Sequence, residues 1–367
     1  MPADLRVLLG EVIKRNASDL HVSVGVPPAM RVDGGLKYVE DEGPLTGYDV
    51  EQALSTILTS EQMEKYRESN ELDFSFTYKA AGDIEARFRG NAYFESRNMA
   101  AAFRLIPLQI RSIDDLSLPP VLKEMSKRRR GLFLVTGPTG HGKSTTLAAI
   151  LNEINKTRFD HIITIEDPIE YVYRSDKCLV HQREIGTDTE SFSEGLRRAL
   201  RQDPDVLLIG ELRDLDTISA AITASETGHL VFGTLHTQDA AQSIDRIIDV
   251  FPPHHQTQIK IQLSTVLAGI CSQQLIPKGK EAGGGRICAT ELLIVNPAVR
   301  NCIREGKTNQ IKTLIQTGMN MGMHTMEQSL AVFVKNKILP LDAAMTYAYD
   351  PKDLQRILLE QQGGGVR

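Results

Sequence analysis

Residues 137–144 read Gly-Pro-Thr-Gly-His-Gly-Lys-Ser. The spacing matches the phosphate-binding pattern Gly-x-x-x-x-Gly-Lys-Ser/Thr, and an apolar run at 132–135 comes directly before it. A run compatible with a helix follows at 145–155. In such a strand–loop–helix unit the backbone amides curl around the β-phosphate, because a helix N-terminus carries partial positive charge. The sequence therefore predicts a P-loop that binds and hydrolyses ATP.

The side chains of this segment have predictable roles. We expect Lys143 to bring positive charge to the β- and γ-phosphates, and the Ser144 hydroxyl to coordinate the Mg²⁺ that accompanies ATP. The backbone does most of the phosphate binding. The predicted nucleotide-binding residues of the segment are Gly137, Pro138, Thr139, Gly140, His141, Gly142, Lys143, Ser144 and Thr145.

Carboxylates end two further apolar runs. Glu166 follows the run 162–165, and Gly210 and Glu211 follow the run 206–209. Gly210 stands where many P-loop enzymes carry a metal-binding aspartate. Phosphoryl transfer needs an acidic group to orient water or hold metal, so Glu211 and Glu166 are both candidates to polarise the attacking water. A surface or strand-end charge is the alternative for each, and the sequence leaves open which one is the base.

Two histidines bracket another apolar run and its exit. His229 precedes the run 230–232, and His236 follows it by a few residues. A side chain at this exit could sense the γ-phosphate. Hydrogen bonding in a purely structural role is the alternative for each histidine.

The apolar runs also predict the architecture of this half of the chain. Each is short and uniformly apolar, and helical stretches separate them, which is typical of strands buried on both faces of a mostly parallel sheet. The predicted strands are 132–135, 162–165, 206–209 and 230–232. Beyond about residue 256 helical spacing returns and predicts a helical C-terminal subregion, first in Ile259, Leu263, Val266, Leu267 and Ile270.

The first part of the chain has a different pattern. A helix is predicted from the spacing of Leu5, Leu8, Leu9 and Val12. Turn residues and alternating runs at 73–78 and 86–94 then predict half-buried strands. We expect a small α+β domain over residues 1–104, a proline-containing linker over 105–120, and the ATPase domain over 121–367.

Composition restricts the partners. The chain has 367 residues, with 42 basic and 47 acidic side chains and a formal net charge of -5. No strong overall field attracts it to nucleic acid or anionic lipid. Its four cysteines lie far apart, which disfavours a zinc ribbon and a disulfide framework, and the N-terminus lacks a signal peptide's apolar core. The expectation is a cytoplasmic protein without nucleic-acid partners.

These segments together resemble the secretion-type hexameric ATPases, and specifically the type IV pilus retraction (twitching motility) ATPases. Besides the P-loop and the strand ending in Glu211, which Arg213 and Asp214 follow, the resemblance rests on residues 17–21, 27–28, 31–34, 164–171 and 228–237. It implies an α/β fold class with a PAS-like N-terminal α+β domain and a RecA-like P-loop ATPase domain with C-terminal helices. It also implies a homohexamer at the inner face of the cytoplasmic membrane, in peripheral association through partners such as the pilus platform protein.

The resemblance extends to individual residues. Segment 164–171 is similar to the family's aspartate box, which adds Glu170 to the nucleotide-binding set, and segment 228–237 is similar to its histidine box, with His229 and His236. Family members bring arginines from the N-terminal domain to the γ-phosphate, and we assign this role to Arg89 and Arg104. Arginines that simply alternate along an exposed strand face are the alternative.

The direction of the motor rests on the C-terminal segment. Residues 296–305 read Asn-Pro-Ala-Val-Arg-Asn-Cys-Ile-Arg-Glu, similar to the signature of retraction motors, and the tetracysteine zinc insert typical of extension motors is absent. Alternatives are a pilus-extension or type II secretion motor, a nucleic-acid translocase and a non-hydrolysing scaffold. His141 and Cys302 depart from the family's usual serine and leucine, and we expect His141 to be tolerated because the backbone binds the phosphates.

Overall fold

The computed structural model describes residues 4–32, 35–79, 85–107 and 109–363. The chain divides into two compact units. One extends through Gln109 and includes Glu170–Val172, and the other comprises Ile110–Ile169 and the chain from Tyr173 onwards. Among the described residues, no helix is long and apolar enough to span a membrane.

In its described residues, the N-terminal unit is an antiparallel six-stranded sheet with three helices. Its strand order is β3-β2-β1-β6-β5-β4. Helix α1 buries Leu5, Leu8, Leu9 and Val12, the residues whose spacing predicted it. The elements are α1 (Leu5–Lys14), β1 (Asp19–Val22), β2 (Ala29–Val32), β3 (Gly35–Tyr38), α2 (Gly47–Ser55), α3 (Ser60–Ser69), β4 (Glu71–Lys79), β5 (Glu85–Glu95) and β6 (Asn98–Leu105).

The second unit begins with the strands and helices around the P-loop. Its first elements are α4 (Val121–Ser126), β7 (Gly131–Thr136), α5 (Lys143–Thr157), β8 (His161–Glu166), β9 (Leu179–Glu184), α6 (Phe192–Ala199), β10 (Val206–Ile209), α7 (Leu215–Glu226), β11 (Leu230–Leu235), α8 (Ala240–Asp249) and α9 (Pro253–Val266). Every residue of β7, β10 and β11 is buried, as the uniformly apolar runs predicted.

As far as residue 363, the chain continues with two long strands and five α-helices, namely β12 (Leu267–Pro277), β13 (Arg286–Ile294), α10 (Pro297–Glu305), α11 (Ile311–Thr317), α12 (Met326–Lys335), α13 (Leu341–Tyr347) and α14 (Pro351–Gly363). The seven-stranded sheet has the order β13-β12-β7-β11-β10-β8-β9. Neighbouring strands are parallel except β12 and β13, which are antiparallel.

The helical spacing predicted beyond residue 256 is wrong for Leu267 and Ile270. Helix α9 ends at Val266, and Leu267 and Ile270 lie in β12. The residues of β12 are buried except near its end. Its sequence therefore lacks the apolar–polar alternation of a half-buried strand, and nothing in the pattern marks the end of helix α9. Periodicity alone does not separate a fully buried strand from a buried helix. The helical pattern holds from Pro297 onwards.

Candidate active site

The loop between β7 and α5 has a backbone that only glycine adopts easily. Gly137, Gly140 and Gly142 have φ angles of 139°, 80° and 82°. Helix α5 is 15 residues long, and no side chain caps its N-terminus. The amides of its first turn are thus left for a ligand, and the partial positive charge there suits phosphate. The glycine-rich loop and the uncapped N-terminus of α5 thus fit the phosphates of a nucleotide.

Lys143 is the buried cation of this loop. Its Nζ donates hydrogen bonds to the carbonyl oxygens of Gly137 at 2.8 Å and Pro138 at 3.1 Å. The same atom lies 3.5 Å from Nδ1 of His236. An ammonium on a flexible stem can exchange loop carbonyls for phosphate oxygens without a large movement of the backbone.

Glu211 lies just beyond β10 and is bound by two donors. Its Oε1 accepts a hydrogen bond from Nε of Arg213 at 2.7 Å and lies 3.0 Å from Nε2 of His236. Burial raises the pKa of the Glu211 carboxyl, but the hydrogen bonds from Arg213 and His236 outweigh it and hold the pKa below its ordinary value. The group is therefore a carboxylate at neutral pH.

His236 connects this carboxylate to the P-loop. Its Nδ1 lies 3.4 Å from Oγ1 of Thr139 and 3.5 Å from Nζ of Lys143. A lysine ammonium has no acceptor, so Nδ1 must accept, and the ring hydrogen on Nε2 donates to Glu211. The predicted residues Lys143, Glu211 and His236 thus form one contiguous cluster.

Glu166 ends the neighbouring strand β8 and is buried. Its Oε1 accepts hydrogen bonds from Oγ1 of Thr164 at 2.6 Å and from Nε2 of Gln182 at 3.1 Å. The backbone of Gly210 lies close to β8, and a Cβ there would lie 3.3 Å from the carbonyl oxygen of Ile165 and 3.4 Å from the Glu166 Cα. The ends of β8 and β10, beside the two carboxylates, are therefore in contact.

Other predicted site residues lie outside this cluster. His229 precedes β11 at the end opposite His236, roughly 20 Å away along the strand, where its Nδ1 lies 2.9 Å from the carbonyl oxygen of Ala224. Glu170 is exposed and belongs to the segment that groups with the N-terminal unit.

The two arginines proposed to reach the γ-phosphate also belong to the N-terminal unit. Arg89 on β5 and Arg104 on β6 are directly opposite each other in the sheet register. Nε of Arg104 donates to Oδ1 of Asp19 at 2.8 Å, although 72% of the Arg104 side chain is exposed. Their role at a nucleotide remains a prediction.

Some residues of the site were missed by sequence reasoning. Arg213 belongs to the segments that carry the resemblance, but it was given no role, although it follows Glu211 by only two residues and pairs with it. Gln273 donates from Nε2 to the backbone oxygen of His141 at 2.7 Å. No local signal could have found Gln273, since the strand that carries it was not predicted.

Comparison with known proteins places this geometry in a family. The family model described as Type II/IV secretion system protein matches residues 102–339. The type IV pilus retraction ATPase PilT of Pseudomonas aeruginosa is 47% identical over 350 residues, which cover 95% of this chain and 99% of that protein. The chain belongs to the type IV pilus retraction ATPases.

Two further members of the pilus retraction ATPases support the assignment. The twitching motility protein of Neisseria gonorrhoeae is 44% identical over 89% of this chain and 86% of its own length. The crystal structure of the pilus retraction motor PilT with bound ADP matches with a TM-score of 0.88 and 45% identity, over 96% of this chain and 98% of that one. The resemblance drawn from the sequence and the predicted fold class are confirmed.

Proposed function

We propose that this protein is an ATP-hydrolysing motor that powers type IV pilus retraction. The observation that supports hydrolysis best is the cluster in which His236 connects Glu211 to Lys143 of the P-loop. Similarity over 95% of the chain to a protein named as a pilus retraction ATPase, and over 89% to one named as a twitching motility protein, supports the mechanical output.

Each residue of the cluster has a task in this proposal. The P-loop amides and Thr145 hold the phosphates of ATP, Lys143 neutralises negative charge, and the Ser144 hydroxyl holds Mg²⁺. When bound, MgATP supplies the transferable phosphoryl group and much of the neutralising charge. Glu211, which stays ionised, orients the attacking water and accepts its proton. Glu166 is the second candidate for this role.

Other groups act on the developing charge. His236 lies between the carboxylate and the lysine, so a change in either neighbour moves its hydrogen bonds. Arg89 and Arg104, carried by an N-terminal domain over 1–104, add positive charge to the γ-phosphate when subunits close. We propose a cytoplasmic homohexamer that contacts the pilus platform protein at the inner face of the cytoplasmic membrane, without nucleic acid.

The first test is phosphate release from MgATP across a protein dilution series without nucleic acid, in parallel with Lys143→Ala. Specific activity that rises with assembly and disappears in the variant supports a cooperative ATPase ring. Activity that is absent, or equal in the variant, overturns hydrolysis at this P-loop. Activity independent of protein concentration overturns the oligomeric mechanism.

The second test concerns direction. Deletion of the coding sequence is expected to leave cells piliated but unable to twitch, because pili are still assembled and no longer withdrawn. Cells without pili would instead indicate an extension motor and overturn the retraction assignment. A chromosomal copy carrying Lys143→Ala should reproduce the deletion phenotype.

A further inference from the structure

The second half of β12 extends beyond its neighbour β7. The two strands pair from Leu267 opposite Leu132 to Ser272 opposite Thr136, where β7 ends. β12 continues to Pro277, paired along its other edge with β13. Beyond Ser272, the edge of β12 that faced β7 has no neighbouring strand. The backbone groups on this edge need other partners, because buried amides and carbonyls are costly when unpaired.

The P-loop occupies this edge. A Cβ built on Gly137 would lie 2.3 Å from the carbonyl oxygen of Gln273, so only glycine permits the approach. Further along, the backbone N–H of Leu275 donates to Nδ1 of His141 at 3.1 Å. The side chain of Gln273 donates to the carbonyl oxygen of the same histidine at 2.7 Å. One loop residue thus accepts two hydrogen bonds from one strand.

We propose that His141 is a positioning residue that holds the P-loop against β12 through its Nδ1 acceptor and thereby sets the affinity for nucleotide. The proposal rests on nucleotide binding by this loop, as proposed above. The imidazole accepts the hydrogen bond of the Leu275 amide, which a carbonyl oxygen of a neighbouring strand would otherwise accept. A side chain at 141 without an acceptor at this position leaves the Leu275 amide unpaired and the loop held by fewer bonds.

This role predicts an effect on binding and little effect on the chemical step. His141 lies outside the cluster of Lys143, His236 and Glu211, to which the proposed function assigns the chemical step. A loop that spends less time in the bound conformation weakens affinity in proportion, whereas the bound complex is unchanged. KM for ATP and Kd for ADP should therefore rise while kcat is maintained.

The role also requires the neutral imidazole. An imidazolium carries hydrogens on both nitrogens and cannot accept from Leu275. Around the ring, β12 contributes the uncharged Gln273 and Leu275, and α5 contributes Lys143. Burial first, and then the Lys143 charge, lower the pKa of His141, so the acceptor persists to more acid pH than for a free histidine.

The test compares the full-length protein with two variants of opposite hydrogen-bonding capacity. His141→Asn retains an acceptor oxygen, whereas His141→Phe retains a ring and no acceptor. We expect His141→Phe to raise KM for ATP and Kd for ADP by about ten-fold, the size expected when a half-buried amide loses its partner, with kcat within about two-fold. His141→Asn should stay within about three-fold of the wild type. Equal affinities in the two variants, or a loss in kcat alone, would overturn the proposal.

Hydrogen exchange provides a readout without activity. The amide of Leu275 should exchange slowly in the wild type and in His141→Asn, and faster in His141→Phe. If His141→Phe does not fold, His141→Leu replaces it in both measurements. Equal protection of Leu275 in all variants would show that the histidine does not hold the strand edge. Failure of the proposed function is recognised separately, by phosphate release that persists in Lys143→Ala.

Discussion

Glu211 is a partly buried carboxylate whose charge is maintained by its neighbours. Its side chain is 17% exposed, and the hydrogen bonds of Arg213 and His236 more than offset the cost of burial. Arg213 therefore has two effects, since its hydrogen bond keeps the Glu211 carboxyl ionised and occupies an oxygen that could otherwise bind water. A carboxylate that stays ionised and is hydrogen-bonded by both an arginine and a histidine suits a site that must respond when charge changes at the γ-phosphate.

Replacing Glu211 with Gln should separate binding from chemistry. The amide is nearly isosteric but cannot take a proton from water, so phosphate release should fall about 10²- to 10⁴-fold while ATP is still bound. The measurement is single-turnover hydrolysis together with nucleotide affinity. Glu166→Gln is the matched control, and a larger loss in that variant would transfer the role of base to Glu166.

Two glycines of the P-loop differ in how much space a side chain would have. Gly137 has a φ of 139° and no space for a Cβ, whereas Gly140 has a φ of 80° with no atom within 4 Å of a Cβ. We expect Gly140→Ala to cost about 1 kcal/mol of backbone strain and to retain nucleotide binding. Gly137→Ala should displace the loop from β12 and abolish the thermal stabilisation by ADP. Similar melting curves with ADP for the two variants would contradict this account.

At the scale of elements, the C-terminal helices reach the loop that carries His236. The hydroxyl of Tyr349, between α13 and α14, donates to the carbonyl oxygen of Gln238 at 2.6 Å. From β12, Nε2 of Gln274 donates to the carbonyl oxygen of Tyr347 at 3.1 Å. The segment between β11 and α8 therefore has two sets of contacts. His236 contacts Glu211 and Lys143, and Gln238 is hydrogen-bonded by Tyr349 from the C-terminal part of the chain.

Removing the Tyr349 hydroxyl tests this connection. Tyr349→Phe leaves the Gln238 carbonyl without its donor, and we expect a loss of about 1 kcal/mol in the free energy of unfolding. We also expect a lower kcat, because the loop that positions His236 is less restrained. Tyr347→Phe is the matched control, since Tyr347 contributes its backbone oxygen to the contact with Gln274. Equal kcat in both variants would show that the contact does not affect the site.

For the whole molecule, β12 and β13 connect two hydrophobic clusters of the second unit. The first part of β12 and the last part of β13 belong to the core around the P-loop strands, through residues such as Ile270 and Leu293. Their other parts, with Ile276 and Ile287, pack against the C-terminal helices. Glu291 of β13 lies between these regions, buried, and its Oε1 accepts from the backbone N–H of Ala240 at 3.0 Å.

Glu291 should make stability depend on pH. Burial, then repulsion from Asp239 and Glu327, raise its pKa from 4.5 to about 7. Between these values the native state holds a proton that the unfolded state has released, so stability is fully present below pH 4.5 and falls as pH rises towards 7.

The corresponding variant is Glu291→Gln, which retains an acceptor for Ala240 and has no proton to lose. We expect it to match the wild type near pH 5 and to exceed it near pH 8, by at most about 3 kcal/mol in the free energy of unfolding. Denaturant unfolding at the two pH values measures the difference. Parallel pH dependence of the two proteins would show that Glu291 does not titrate in this range.

The sequence by itself determined the P-loop, the parallel strands around it and the carboxylates at their ends. Each of these is a local pattern, in which strand, glycine spacing and helix follow one another within a few residues. The N-terminal helix was equally readable from the spacing of its buried leucines.

Only the tertiary structure decided which strand the P-loop packs against. The hydrogen bonds from β12 to His141 join residues 132 and 134 positions apart, and the contact of Tyr349 with Gln238 joins residues 111 positions apart. β12 itself was invisible because a strand buried on both faces lacks the alternation that distinguishes it from a helix. The P-loop contacts β12 where β7 ends and leaves the edge of β12 uncovered. The position of that uncovered edge is a property of the assembled sheet.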